Sequence, residues 1–377
     1  MGSLRRKPSG RWEARYRDPT GRLRGQTFRT KRDAELFLQR VGADIQRGDF
    51  VDPGAARIRF GEWAARWIAT KLNVKPSTYA DYESLLNTHL LPHFGQHPIA
   101  AIDRGAVQAW VVSLERNGLG TGTVRNAYGL LRQIMASAVD ADAIRKSPCV
   151  RIDLPRIRRD EMRFASYDEV ARLAHAMEHP RDRRGRSMGT FPSFGLAVQV
   201  AAYTGLRFGE LAALRKKRVD LERKTIHVAE AAKEVRGVVV YGPTKTYQDR
   251  AVPIPDFLVG RLADHLARLR PDPDTLVFTA EHGGPLRNSN FRRRFERAVA
   301  QANLPPGFRI HDLRHSFTAF LIAEGGHPQA IKQRLGHSSI QVTFDRYGHL
   351  FPALESRLTD ALDAAARNAA SASEPRA

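Results

Sequence analysis

Six side chains in the second half of the chain carry the functional groups needed to attack a phosphodiester without a metal ion. They are one tyrosine, two arginines, two histidines and one lysine: Tyr347, Arg207, Arg314, His311, His337 and Lys245. A tyrosine hydroxyl has a pKa of about 10, so attack at neutral pH requires cationic surroundings or a general base. Guanidinium groups stabilise charge on phosphate oxygens, and imidazole transfers protons near neutral pH. This combination suits a reaction in which the tyrosine becomes covalently attached to a phosphate.

The local sequence predicts how some of these side chains are positioned. Arg207 lies in TGLRFGEL, where Gly205 permits a tight bend and Glu210 follows within one helical turn. We expect the Glu210 carboxylate to hold the Arg207 guanidinium. In HDLRHSF, His311 and Arg314 are spaced i, i+3, so they share one face of a helix and can meet the same phosphate.

Each residue also has an ordinary structural explanation when it is taken alone. A single tyrosine such as Tyr347 is most often a half-buried core residue, and a lysine in a turn, such as Lys245 in GPTKT, is usually solvated. The pair Arg207 and Glu210 would by itself indicate a surface ion pair. Only the combination of all six residues favours phosphate chemistry.

The segment His311-Asp-Leu-Arg-His315 also approximates the HExxH zinc motif. Arg314 would place a full positive charge next to the metal, and Asp312 is shorter than the glutamate that serves as the base in that motif. We therefore predict neither a metal site nor a cofactor. Asp312 and His315 are expected to satisfy hydrogen bonds inside the domain.

The overall charge indicates a polyanionic partner. The chain has 61 Lys and Arg residues against 40 Asp and Glu residues, which gives a net charge of +21 and a pI of 10.7. Net charge of this size favours binding to nucleic acid. A GC-rich genome also increases the arginine content, so a solvated basic surface is the alternative explanation.

The sequence has no sign of a membrane or secretory protein. No apolar run approaches the roughly 18 residues that a membrane span requires, and the basic N-terminus MGSLRRKPSGRW is not followed by an apolar stretch. The single cysteine, Cys149, cannot form an internal disulfide, which fits a reducing cytosol.

Composition and periodicity predict a multidomain, mainly α protein. A small β-ribbon-plus-helix domain, in which Thr30 caps the helix, precedes an all-α domain, a basic linker, an α+β domain and a tail. The predicted limits are residues 1–55, 57–145, 146–163, 164–365 and 366–377. The tail has little apolar content beyond alanine, so we expect it to be disordered.

Arginine side chains near the N-terminus and in the linker are candidate DNA contacts. Residues 1–48 contain 13 Lys and Arg against 5 Asp and Glu, a net charge of +8. A β-ribbon with such a face can lie in a DNA groove, and a basic structural cap is the alternative. The candidates in the ribbon and in the linker are Arg11, Arg15, Arg17, Arg22, Arg24, Arg156, Arg158 and Arg159.

The motifs TGLRFGEL, the TKT hairpin, HDLRHSF, LGHSS and TFDRYGHL resemble those of the tyrosine recombinase, or phage integrase, family in order and spacing. The resemblance covers residues 165–350. It implies that Arg207 and Arg314 clamp the phosphate, that Lys245 protonates the 5′-oxygen and that His311 serves as acid and base for the tyrosine. It also implies that His337 donates a hydrogen bond and that Tyr347 forms a 3′-phosphotyrosyl bond without metal or nucleotide.

The front of the chain is similar to the same family. Residues 57–145 resemble its helical, SAM-like core-binding domain, and residues 1–55 resemble the arm-binding domain of integrases related to that of phage lambda. The resemblance implies a site-specific recombinase that integrates or excises a phage or other mobile element in the bacterial cytosol, at the nucleoid. The implied partners are double-stranded attachment sites, a homotetramer on DNA, a host DNA-bending factor and an excisionase.

Two other functions fit the same residues. A type IB topoisomerase-like enzyme shares this chemistry but nicks and closes DNA as a monomer. A DNA-binding regulator would carry only a relic of the catalytic site.

Overall fold

The computed structural model describes the chain except for residues 1, 49, 53, 158–161, 183, 245–248, 337, 338, 340, 342–346, 349–358, 361, 365 and 368–377. The chain divides into two compact units, residues 1–159 and 160–377. Each unit has hydrophobic clusters of its own.

The first unit begins with a three-stranded antiparallel sheet and one helix. These elements are β1 (Ser3–Arg6), β2 (Trp12–Arg17), β3 (Leu23–Phe28) and α1 (Lys31–Gln46), with strand order β1-β2-β3. Thr30 caps α1 by accepting a hydrogen bond from the Asp33 amide, as predicted. Ala14 and Tyr16 alternate along β2 and are buried, and the Tyr16 ring packs against Phe37 of α1. One face of the sheet is therefore covered by the helix.

A bundle of helices forms the rest of the first unit. It comprises α2 (Phe60–Ala69), α3 (Pro76–Leu85), a π-helical turn (Leu86–Leu90), α4 (Leu91–Phe94), α5 (Arg104–Arg116) and α6 (Thr121–Asp140), with 3₁₀ turns at Ala55–Arg57 and Ile99–Ala101. Apolar residues recur along α6 at helical spacing, and Leu130 and Ile134 are buried. They share a core with Phe94 and Trp110. These aromatic residues belong to the core.

The described residues of the second unit form helices and two small antiparallel sheets. Its elements are α7 (Tyr167–Glu178), α8 (Pro192–Thr204), α9 (Phe208–Ala212), β4 (Val219–Asp220), β5 (Thr225–Val228), β6 (Glu230–Val235), β7 (Val238–Pro243), β8 (Arg250–Pro253), α10 (Asp256–Ala267), α11 (Asn288–Gln301), α12 (Ile310–Ala323) and α13 (Pro328–Leu335), with a 3₁₀ turn at Lys216–Arg218. One sheet has strand order β4-β5-β8, and the other is the hairpin β6-β7.

Helix α8 lies in the core of the second unit. It is apolar on most sides, and Val198 and Val200 are fully buried, because α7, α10 and α12 pack around it. The helix ends at Gly205, whose φ of +65° is the left-handed conformation that favours glycine. A Cβ at this position would also lie 2.4 Å from a ring carbon of Phe317. This turn ends α8 against α12 and leads directly into Arg207 and α9.

The predicted fold class is confirmed, since the chain has several mainly helical parts with small sheets. Strand β1 was not predicted, because its sequence SLRR has no alternation of apolar and polar residues. The proposed domain limits stay predictions. Of the tail predicted to be disordered, only residues 366 and 367 are described, and they are helical. None of the described helices has both the length and the apolar character needed to cross a bilayer.

Candidate active site

A buried carboxylate, Glu210 of α9, holds two arginine side chains from different elements. It accepts hydrogen bonds from the backbone amide of Arg207 at 2.9 Å and from its Nη1 at 2.8 Å. The guanidinium of Arg250, the first residue of β8, binds the same carboxylate through Nη1 at 3.0 Å and Nη2 at 2.6 Å. The contact between Glu210 and Arg207 is the one expected from the sequence. The second arginine completes a fork-like, bidentate pair.

Arg314, in the second turn of α12, is almost completely buried. Its guanidinium donates hydrogen bonds to the carbonyl of Gly205, at the end of α8, and to that of Leu335, at the end of α13. Carbonyl groups at helix C-termini carry partial negative charge, so they are suitable partners for a buried cation. Neither bond neutralises the guanidinium, which keeps its full charge.

Arg207, Arg250 and Arg314 together with Glu210 are termed the arginine cluster. Its three guanidinium groups also converge on the C-terminal end of α13. Three consecutive carbonyl groups accept these hydrogen bonds. Arg250 donates to the carbonyl of Arg334 at 3.1 Å, and Arg314 donates to that of Leu335. Arg207 donates to the carbonyl of Gly336 at 3.4 Å. Three cations and one carboxylate leave two positive charges in excess, which suits the binding of a phosphodiester anion.

Burial and neighbouring charge determine the pKa values in the cluster. Burial alone would raise the pKa of Glu210, but the hydrogen bonds and charge of Arg250, and then the charge of Arg207, outweigh it and lower the pKa. Burial, and then the charge of Arg207, lower the pKa of Arg314 to about 9. Both side chains therefore stay ionised at neutral pH. An anion bound beside Arg314 would offset the cost of burying its charge.

Tyr347 is 2% exposed, and its hydroxyl oxygen lies 2.6 Å from Nδ1 of His315, which is also buried. Its ring packs in an apolar cluster that includes Phe317 of α12 and Leu335 of α13. An ionised Tyr347 would interact favourably with the Arg314 guanidinium, so the two groups lie in the same region. The predicted nucleophile thus has the arginine cluster nearby and an imidazole on its hydroxyl.

Family models match three segments of the chain. The model described as Phage integrase family matches residues 163–353, more than half of the chain, and this range contains the arginine cluster, His315 and Tyr347. The chain belongs to the phage integrase family. As a member of this family it is a site-specific recombinase of the tyrosine type. Two further models match this integrase: Phage integrase, N-terminal domain, over residues 1–47, and Phage integrase, N-terminal SAM-like domain, over residues 59–114.

Individual integrases are similar to this one over most of their length. The prophage phiRv2 integrase of Mycobacterium tuberculosis is 32% identical over 383 residues, which cover 98% of this chain and 96% of that protein. Among solved structures, the Tn1549 transposon integrase in complex with transposon right end DNA has a TM-score of 0.68 at 22% identity, covering 80% of this chain and 100% of that one. A lambda integrase tetramer bound to a Holliday junction has a TM-score of 0.56 at 18% identity, covering 89% and 95%. The two structures support the fold.

Two of the remaining predicted residues of this integrase are exposed, and four are not described. His311, in the first turn of α12, is exposed, and its ring meets that of His315 edge to face at a centroid distance of 4.9 Å. Arg156 in the linker is exposed. Four other predicted residues lie outside the described part of the chain: Lys245, His337, Arg158 and Arg159. The roles of all these residues stay predictions.

The zinc-like segment is engaged in other contacts. Asp312 accepts hydrogen bonds from the backbone amide of Arg309 at 2.7 Å and from its Nη2 at 3.1 Å, which caps α12 and agrees with the expected internal role. His315 is bonded to Tyr347. Among the residues that the structure describes, no group of three or more His, Cys, Asp or Glu side chains could hold a metal ion.

The candidate arginines of the N-terminal sheet lie on both of its faces. Arg15 and Arg17 alternate with the buried residues of β2, so they point away from α1. Arg24 is paired across the sheet with Tyr16 and lies on the covered face, where it bonds to Asp18 at 3.0 Å and to Asp52 at 2.7 Å. Two further candidates lie outside the strands and are exposed: Arg11 and Arg22.

Sequence reasoning missed two contacts of the site. Arg250 begins strand β8 (RAVP), and it lies 40 positions after Glu210, so no local pattern connects them. His315 was expected to have an internal partner, but 32 residues separate it from Tyr347. Both contacts are tertiary. A polar residue at the start of an otherwise apolar strand was the only available signal for the first of them.

Proposed function

We propose that this integrase cleaves a strand of duplex DNA by attack of the Tyr347 hydroxyl on a phosphodiester. The attack forms a 3′-phosphotyrosyl bond and releases a 5′-hydroxyl, which later attacks the phosphotyrosine of a partner strand. The observation that carries this proposal is the buried Tyr347 beside a cluster with two positive charges in excess. Guanidinium groups that are already in place bind the transition state more tightly than the ground state, and this difference accelerates the reaction.

The other residues have supporting roles in this proposal. Arg207 and Arg314 bind the scissile phosphate, while Glu210, which is itself bound by Arg250, holds Arg207 in position. By analogy with the family, Lys245 protonates the 5′-oxygen. His337 donates a hydrogen bond to the phosphate, and His311 exchanges protons at its exposed position.

Burial of the nucleophile adds a requirement. Because Tyr347 is 2% exposed, a DNA phosphate can reach its hydroxyl only after the site has opened. We infer that binding of the core site exposes the hydroxyl. Cleavage would then depend on correct assembly on DNA.

We propose further that the enzyme integrates or excises a mobile element by exchanging strands between two attachment sites. Residues 57–145 would bind the core site, and residues 1–55 would bind arm sites that flank it. The linker, residues 146–163, would follow the DNA backbone with its arginines. Four subunits would assemble on two duplexes, which is supported by the lambda integrase tetramer bound to a Holliday junction.

Accessory proteins and location complete the proposal. A host bending factor would bring arm and core sites within reach of one subunit, and an excisionase would set the direction. The reaction would take place in the bacterial cytosol, at the nucleoid.

Trapping of the covalent intermediate tests the central claim. A nicked core-site substrate loses a short fragment after cleavage, so protein stays attached to DNA. We expect wild-type protein to accumulate this adduct and Tyr347→Phe to form none while binding core-site DNA normally. Equal amounts of adduct from the two proteins would overturn the proposal.

A second assay separates recombination from nicking and closing. Two attachment sites on a supercoiled plasmid should yield exchanged products. Relaxed plasmid without exchange, produced by the monomer, would instead indicate the topoisomerase-like activity.

A further inference from the structure

The hydroxyl of Tyr347 is hydrogen-bonded to a histidine that the family resemblance does not assign. Nδ1 of His315 lies 2.6 Å from the Tyr347 oxygen, and the two residues are 5% and 2% exposed. His311, the histidine assigned by resemblance, lies one turn earlier on α12 at the surface, with its ring against that of His315. The histidine in contact with the hydroxyl is therefore the buried one.

We propose that His315 accepts the hydroxyl proton of Tyr347 during cleavage and returns it during rejoining. This inference rests on the proposed function, because it assumes that Tyr347 is the nucleophile. A general base must lie within about 2.6–3.2 Å of the oxygen that it deprotonates, and Nδ1 of His315 meets this condition. A neutral imidazole with its hydrogen on Nε2 accepts the hydrogen bond from the hydroxyl through the lone pair on Nδ1.

The surrounding charges favour loss of the proton from the Tyr347 hydroxyl. Arg314 neighbours His315 on α12, with Arg207, Glu210 and Arg250 behind it, and His311 lies on the other side. The excess positive charge stabilises the phenolate oxygen that forms as the proton leaves, which is why ionised Tyr347 and Arg314 attract each other.

The step balances in protons and bonds. In cleavage the O–H bond of Tyr347 breaks, its proton moves to Nδ1 of His315, and a bond forms between the tyrosine oxygen and phosphorus. The bond from phosphorus to the 5′-oxygen breaks, and Lys245 protonates that oxygen. In rejoining, the 5′-hydroxyl gives its proton to Lys245 and its oxygen forms a bond to phosphorus. The bond between phosphorus and the tyrosine oxygen breaks, and His315 returns the proton to that oxygen.

The first experiment measures single-turnover formation of the covalent adduct by full-length protein. We expect His315→Gln to bind core-site DNA normally and to cleave it about 100-fold or more slowly, the usual contribution of a general base. The matched control is His265→Gln, which removes a half-buried histidine whose Nε2 bonds to the Val277 carbonyl at 2.6 Å. This control should cleave like wild type. Cleavage by His315→Gln within threefold of wild type would overturn the proposal.

A modified substrate separates His315 from the residue that acts on the leaving group. When sulfur replaces the bridging 5′-oxygen, the leaving group is a thiolate, which needs no proton because thiols have a pKa of about 8.5. We expect this substrate to restore cleavage by Lys245→Ala and to leave His315→Gln slow. Restoration of His315→Gln would assign His315 to the leaving group and contradict the inference.

The pH profile distinguishes a base from a purely structural residue. On the sulfur substrate, wild-type cleavage should slow in acid, where the imidazole can no longer accept a proton, and His311→Gln should keep this decline. In His315→Gln the rate should instead rise steadily with pH, because hydroxide must remove the proton. Identical pH profiles for wild type and His315→Gln would refute the assignment.

These outcomes differ from failure of the proposed function. If wild type forms no adduct through Tyr347, both proposals fall together. If wild type forms the adduct, but His315→Gln cleaves at nearly the wild-type rate and with the same pH profile, only the role of His315 as a base is lost.

Discussion

A single carboxylate, Glu210, organises most of the positive charge at the candidate active site. Its side chain is 1% exposed and binds Arg207 and Arg250, whose guanidinium groups would otherwise repel each other and Arg314. Breaking a buried ion pair typically costs about 3–5 kcal/mol, because it leaves a buried charge without its partner. We therefore expect Glu210→Gln to lower the free energy of unfolding in urea by that amount and to slow cleavage.

The matched control for this substitution is Glu296→Gln. Glu296 forms an exposed i, i+4 pair with Arg292 at 2.8 Å, and such pairs contribute less than about 1 kcal/mol. Equal losses of stability in the two variants would contradict the central role of Glu210.

The stabilising effect of Glu210 should also depend on pH. Its pKa is lower in the folded chain than its ordinary value of 4.5, so its contribution is complete above that value and is lost as pH falls through the folded-state pKa. The difference in unfolding free energy between wild type and Glu210→Gln should be constant near neutral pH and shrink below a pH of about 4. A difference that is unchanged in acid would show that charge is not the cause.

At the residue scale, the contact between residues close in the sequence was predicted, and the contacts between distant residues were not. Arg207 and Glu210 lie within one turn of each other, so their ion pair could be predicted from spacing alone. The pairs Arg250 with Glu210 and His315 with Tyr347 join residues that are distant in the chain. Such contacts depend on how helices and strands pack, which no short motif encodes.

At the scale of elements, the turn after α8 controls the site. Gly205 has a φ of +65°, and a Cβ there would lie 2.4 Å from the Phe317 ring. Its carbonyl also accepts a hydrogen bond from Arg314. We expect Gly205→Ala to cost about 2–4 kcal/mol of stability, from the left-handed backbone and from the steric overlap together, and to impair cleavage.

Gly325→Ala separates the two contributions. Gly325 has a φ of +77°, and a Cβ there would meet nothing within 4 Å, so only the backbone cost of about 1 kcal/mol applies. Urea unfolding measures both variants. If Gly205→Ala lowers the free energy of unfolding no more than Gly325→Ala does, the Phe317 ring moves aside without destabilising the fold.

Elements with a local signal were predicted more accurately than elements without one. Thr30 caps α1 as predicted, because a cap depends only on a side chain and an amide three residues later. The bend at Gly205 was predicted from glycine in the motif, although its clash partner was not. The strand Ser3–Arg6 was missed because pairing with β2, rather than its own sequence, makes it a strand.

At the scale of the whole molecule, the net charge of +21 should make DNA binding strongly dependent on salt. Each phosphate contact releases counterions, so the logarithm of the binding constant falls by about 0.9 per contact for each tenfold increase in salt.

The N-terminal sheet and its turns hold exposed arginines that can be removed without touching the core of the sheet. Arg11, Arg17 and Arg22 are exposed, whereas Arg24 binds two carboxylates.

We therefore expect the triple substitution of Arg11, Arg17 and Arg22 by alanine to weaken binding to arm-site DNA and to reduce the salt slope there by up to about 2.7. Cleavage of an isolated core site should stay unchanged, because these residues belong to the N-terminal sheet and its turns. Fluorescence anisotropy at several salt concentrations and the adduct assay measure the two effects.

A control with the same loss of charge replaces three exposed arginines of the second unit: Arg268, Arg270 and Arg292. If this control weakens arm-site binding equally, total charge rather than the sheet accounts for the affinity, and the arm-binding role of residues 1–55 fails.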